Sequence, residues 1–217
     1  MKADNECGEG SPELPACTAT LFLDYDGVLH PEYCPPHRFF EALPGLVSVL
    51  QGRPWVEWVV SSNWRYERRL PASGQSVASD RRLLTLQAMK AQLQERYLSR
   101  SASAFSTPSQ TRLDQPTDHL APLAPADVCV FDRLVGITPL MPDLSRLPQR
   151  VLAYEREAQC LAWLRAWRPL RIHWLAVDDR PWLFSPFCPQ LFQTNGAEGL
   201  QPGQLLALAE RLDAMKS

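Results

Sequence analysis

Thr18-Ala19-Thr20-Leu21-Phe22-Leu23-Asp24-Tyr25-Asp26-Gly27 is the stretch whose reading decides the fold. Its apolar, β-prone run stops abruptly at Asp24, as a short buried parallel strand does. Asp26-Gly27 then closes the run with a turn. The pattern recurs further along the chain. Trp55 to Val60 reads as a second strand, ending at Ser61-Ser62-Asn63. Arg171 to Val177 reads as another, ending at Asp178-Asp179. Shorter apolar runs at Val128 to Phe131 and Leu191 to Gln193 are read as strands too.

Helical spacing fills the intervals. Phe39 to Leu50 carries apolar residues at helical positions, with Pro44 weakening its first half or marking a helix start instead. Ser79 to Leu98 reads as a helix capped by Ser79 or Asp80. Tyr154 to Trp167 and Gln204 to Met215 complete the set. Residues 31 to 37 and 139 to 148 are proline-rich, and 99 to 126 reads as a long loop or flexible insertion. Alternating short strands and helices predict an α/β fold with a mostly parallel sheet.

Three of these strands end in small polar or acidic groups. In an open parallel sheet, ligands bind at the carboxyl ends of the strands. If the three are neighbours, Asp24, Asp26, Asp178 and Asp179 converge with a serine hydroxyl. Converging carboxylates raise one another's pKa, and a divalent cation resolves the conflict. A set of oxygen ligands alone points to Mg²⁺ and away from Zn²⁺. Such a site suits phosphoryl chemistry. Asp24 can attack phosphorus and form an aspartyl phosphate. Asp26 can reach the leaving-group oxygen as general acid. Ser62 can donate to a phosphoryl oxygen, and Arg156 is the candidate cation.

Composition sets the outer limits. Apolar residues make up 45% of the 217, which is enough for a substantial core. A net charge of −2 gives no footprint for strong binding to duplex DNA. Arg65, Arg68, Arg69, Arg81 and Arg82 lie close together in sequence, the spacing of a local basic patch. Residues 1 to 17 read as a flexible tail without a signal peptide, and no apolar run is long enough to span a membrane. Six scattered cysteines without a CxxC pair read as reduced thiols, which suits a cytoplasmic protein.

Leu21 to His30 resembles the first motif of the haloacid dehalogenase (HAD) superfamily, DxDG after an apolar strand. Val59-Val60-Ser61-Ser62-Asn63-Trp64-Arg65 is similar to the second motif, and Trp174 to Asp179 to the fourth. The nearest subgroup is the HAD domain of Swiss-army-knife RNA-repair proteins and their stand-alone relatives. Trp64 after the serine-rich motif, Arg156 ahead of Trp163-Leu164, and Gly199-Leu200 before the last helix all fit it. The resemblance runs in outline from residue 19 to 213.

It implies a Rossmann-like three-layer sandwich over residues 18–217, with little or no cap because Asp26 and Ser62 lie so close in sequence. It also implies a Mg²⁺-dependent phosphohydrolase in which Asp24 is the nucleophile and Asp26 the acid/base. The metal would sit on Asp24, on the Asp26 carbonyl, and on Asp179 or Asp178. Ser61 competes with Ser62, and Arg150 with Arg156. The substrate would be phosphorylated, either a small molecule or a nucleic-acid end. Two other classes compete with this one. A phosphotransfer receiver needs its acidic pair early and its acceptor Asp late, the reverse of the order here. A non-catalytic HAD scaffold would have lost Asp24 or Asp26.

Overall fold

A computed structural model of the chain describes residues 18–66, 83–105, 123–140, 154–170 and 173–216. Five strands form one parallel sheet in the order β3-β2-β1-β4-β5. They are β1 (Ala19–Leu23), β2 (Val56–Val60), β3 (Leu134–Ile137), β4 (Trp174–Asp178) and β5 (Leu191–Gln193). β1, β2 and β4 are buried along their whole length. That is why they read as continuous apolar runs instead of alternating ones.

The pleat sorts their side chains into two layers. Leu21, Leu23, Trp58, Val60, Leu175 and Val177 face one layer. It is built from α1 (Leu43–Gln51), α2 (Leu86–Phe105), α3 (Pro125–Asp132) and α5 (Pro202–Asp213). Phe22, Val59 and Ala176 face the other, where α4 (Glu155–Trp167) presents Cys160, Trp163 and Leu164. Helices on both faces of a parallel sheet make the three-layer sandwich that the sequence implied. Between Asp26 and Ser62 stand only α1 and the 3-10 turn Pro36–Arg38 as helical elements, so no cap domain is inserted there.

Several boundaries differ from expectation for local reasons. Pro44 sits in the first turn of α1, so the helix starts at Leu43 and not at Phe39. The second helix starts at Leu86, because Leu83 instead bridges to Tyr66 as an isolated antiparallel pair. It runs on to Phe105, into the stretch expected to be a loop. Ser79 and Asp80, the remainder of 99–126 between 106 and 122, and the tail 1–17 lie outside the described residues.

Val128 to Phe131 is a correction. It belongs to helix α3, and the strand follows at Leu134. Pro125 in the first turn and Asp127 beside the helix N-terminus favour the helix. Only Val130 and Phe131 of that run are buried. Trp58 Nε1 donates to Val130 O at 2.9 Å and ties β2 to this helix. Arg133, just past the helix, donates to Leu50 O, Arg53 O and Val56 O. It thereby satisfies carbonyls at the end of α1 and along the turn into β2.

Candidate active site

β1 lies at the centre of the sheet, with β2 on one side and β4 on the other. The register pairs Leu23 with both Val60 and Val177, so the next residues out are Asp24, Ser61 and Asp178 in line. Two backbone bonds extend the ladder to this level: Asp24 N donates to Val177 O at 3.1 Å, and Ser61 N to Leu23 O at 2.9 Å. Strand order reverses direction at β1, and the crevice outside such a switch point is where open α/β sheets bind ligands. The pleat continues the face of Phe22, Val59 and Ala176 through Asp24, Ser61 and Asp178, toward α4.

Arg156, in the first turn of α4, enters from that side. Its Nη1 lies 3.3 Å from Asp24 Oδ2 and 3.2 Å from Asp178 Oδ2, with all three side chains buried. Burial works against the Arg156 charge. Attraction to Asp24, and then to Asp178, outweighs it and holds the guanidinium pKa above its ordinary value. One cation does not neutralise the set. Burial first, and then the Asp24 charge, pushes Asp178 up to about 7 against the pull of Arg156. The same two causes push Asp179 up to about 6 against the pull of Arg180.

One oxygen each from Asp24, Asp178 and Asp179 lies within 4.8 Å of the others. Asp178 Oδ2 and Asp179 Oδ1 are buried without a hydrogen-bond donor. Charged neighbours stand near both, Arg156 Nη1 at 3.2 Å and Arg180 Nε at 3.8 Å, but a buried carboxylate oxygen without a hydrogen bond is costly. These two oxygens and one of Asp24 around one point match the donor set of a hard divalent cation, so the residues present fit Mg²⁺.

Two glycines hold Asp179 in place. A Cβ on Gly27 would lie 2.4 Å from Asp179 Cγ, and one on Gly196 would lie 2.4 Å from Asp179 Oδ2. Gly27 also has φ +73°, a conformation that L side chains rarely adopt. The Asp-Gly turn after β1 is thus required twice, by its backbone and by the carboxylate lying against it. Thr194 Oγ1 fixes the same turn by donating to Gly27 O at 2.7 Å.

The other expected residues fall as follows. The Asp26 carboxylate is not part of the three-carboxylate group. Its Oδ1 accepts from Trp64 Nε1 at 2.9 Å and pairs with His30 Nε2 at 3.1 Å. Ser62 Oγ accepts from Trp64 N at 3.3 Å and so caps the short turn Asn63–Arg65. Ser61 holds the ladder position opposite Asp24. Arg150 lies outside the described residues.

Trp64 packs among Tyr25, Phe39 and Phe40 as well as reaching Asp26. Arg65 does not belong to a surface patch: it is 1% exposed and donates to Ser62 O, Tyr66 Oη and Gln159 Oε1. The other arginines of that patch lie outside the described residues. Arg65 therefore braces the second motif against α4. Its position directly after Ser62-Asn63-Trp64 was the available signal.

No helix among the described residues is long and apolar enough to cross a membrane. No curated protein and no solved structure matches the chain. The family model described as the HAD domain in Swiss Army Knife RNA repair proteins matches residues 20–205, from the first residues of β1 into α5. That span takes in Asp24, the serine motif, Arg156 and the Asp178-Asp179 pair, which this fold brings together although they are far apart in sequence, and the chain belongs to this HAD family.

Proposed function

We propose that the protein hydrolyses phosphomonoesters through a covalent aspartyl phosphate on Asp24. The observation that carries this reading is the buried group of Asp24, Asp178 and Asp179 with Arg156 against two of its members. Asp24, Asp178 and Asp179 would hold Mg²⁺, which when bound neutralises charge on the phosphoryl oxygens.

The chain's own residues then divide the work. Arg156 pins the Asp24 carboxylate and places positive charge where the phosphoryl group arrives. A carboxylate oxygen of Asp24 attacks phosphorus while the ester P–O bond breaks. Asp26 gives its proton to the departing oxygen. Asp26 then takes a proton from water, the water oxygen attacks phosphorus, and the bond to Asp24 breaks to release phosphate. Ser61 is the hydroxyl in line with Asp24 and is assigned the donation to a phosphoryl oxygen, while Ser62 Oγ accepts the Trp64 N–H and caps the turn that follows.

The short interval between Asp26 and Ser62 leaves that side of the crevice uncapped, which favours a large substrate. The family's description supports a phosphorylated nucleic-acid end as one candidate. The test is phosphate release from an aryl phosphate and from 3′- and 5′-phosphorylated oligonucleotides, with and without Mg²⁺. Asp24→Asn should abolish turnover, and Asp26→Asn should lower it by about 10²- to 10⁴-fold. Wild-type rates in the Asp24 variant would remove the nucleophile and with it this reading.

A further inference from the structure

Asp26 is held by residues that the chemistry above does not use. Trp64 Nε1 and His30 Nε2 both meet the same oxygen, Oδ1, at 2.9 and 3.1 Å. His30 is wholly buried, in ring contact with Phe39, Phe40 and Trp64. Its other nitrogen, Nδ1, lies 3.3 Å from the backbone N of Phe40 and can only accept from it. An accepting Nδ1 fixes the neutral ring as the Nε2–H tautomer, which makes His30 a donor to Asp26. Phe40 reaches this geometry with φ +62°, a sparsely populated conformation for a residue with a side chain.

Two N–H donors on Oδ1 leave no place for a proton there. A protonated Asp26 must carry its proton on Oδ2, and the carboxyl cannot rotate without breaking both bonds. We propose that His30 and Trp64 are positioning residues that lock the Asp26 carboxyl and commit Oδ2 to the proton transfer. The inference rests on the phosphatase reading of the site. It predicts that the pair matters in proportion to how much the leaving group needs a proton.

The test compares two substrates on the full chain in saturating Mg²⁺. An aryl phosphate with an acidic phenol as leaving group needs little help from a general acid, and an alkyl phosphate needs a great deal. Trp64→Phe keeps the ring and removes the N–H. His30→Asn keeps an acceptor near Phe40 N and removes the donor to Asp26. His30→Gln restores a donor at that reach.

Trp64→Phe and His30→Asn should each lower kcat on the alkyl phosphate by about tenfold or more, a share of the general-acid effect. On the aryl phosphate the loss should stay within about threefold, KM should hold for both substrates, and His30→Gln should recover much of the alkyl activity. Nitrogen-15 spectra of the histidine rings should show His30 protonated at Nε2 and bare at Nδ1. Equal losses on both substrates, or none, would overturn the positioning role while leaving the phosphatase reading intact. A wild type inactive on every phosphomonoester would overturn both.

Discussion

Replacing Asp178 by Asn should stabilise the metal-free protein and destroy its grip on Mg²⁺. Asp178 is wholly buried, and its pKa rises from 3.8 to about 7 because of burial and the Asp24 charge. The folded state therefore holds this proton more tightly than the unfolded chain does. The contribution is complete below the unfolded value of 3.8 and is lost as pH rises through about 7. At about 1.4 kcal/mol per pKa unit, the full loss is on the order of 4 kcal/mol at pH 8.

An Asn escapes this loss, because it carries no charge. Its Oδ1 can keep the 2.9 Å bond from Arg180 N, but its amide then faces Arg156 Nη1, donor against donor, at the place where Asp178 Oδ2 lies 3.2 Å away. We expect about half of the ceiling to survive, about 2 kcal/mol at pH 8. Urea unfolding in EDTA reads this directly, as a midpoint raised by roughly 1 M for a slope of about 2 kcal/mol/M. The gain should shrink to a small remnant by pH 4, where Asp178 is protonated in the folded state and only partly ionised in the unfolded chain. Added Mg²⁺ should reverse the order, since a ligand at 100 times its Kd stabilises by about 2.7 kcal/mol only the protein that binds it. A variant less stable than wild type in EDTA at pH 8, or equally stabilised at pH 4 and 8, would refute the reasoning.

Arg156→Met leaves Asp24 and Asp178 without their shared cation; it should cost about 3 kcal/mol in EDTA at pH 8, less at pH 5, and Mg²⁺ should recover part of it, all by urea unfolding. Gly196→Ala pushes a methyl group against Asp179 Oδ2 without a positive φ, so it should weaken Mg²⁺ binding by about tenfold in calorimetry. Gly27→Ala should do the same and also lose about 1–2 kcal/mol of stability, because φ is +73° there. Unchanged Mg²⁺ affinity in both glycine variants would show that Asp179 is not a ligand.

β1, β2 and β4 were readable because a strand buried on both faces needs an apolar run, and a site at its end needs that run to stop at a polar residue. Asp24 and the Asp178-Asp179 pair were therefore visible one strand at a time. Their meeting followed only from the strand order, which no single segment carries. Val128 to Phe131 was misread because a short apolar run has no period, and its helix was written in Pro125 and Asp127 before it. The depth of Arg65 was not readable, because its partners Gln159 and Ser62 come from different motifs and a buried guanidinium needs both. The Asp26 clamp was hidden for the same reason. His30 and Trp64 lie 34 positions apart in sequence and meet at one oxygen only in the folded chain.

The most direct measurement traps the covalent intermediate. Enzyme turning over a phosphomonoester in Mg²⁺ is quenched in acid and reduced with borohydride, which converts an aspartyl phosphate to homoserine, and the peptides are mapped by mass spectrometry. Homoserine at position 24, dependent on both substrate and Mg²⁺, is the expected result. Conversion at another aspartate, or none while phosphate is still released, would contradict the assignment of Asp24 as nucleophile.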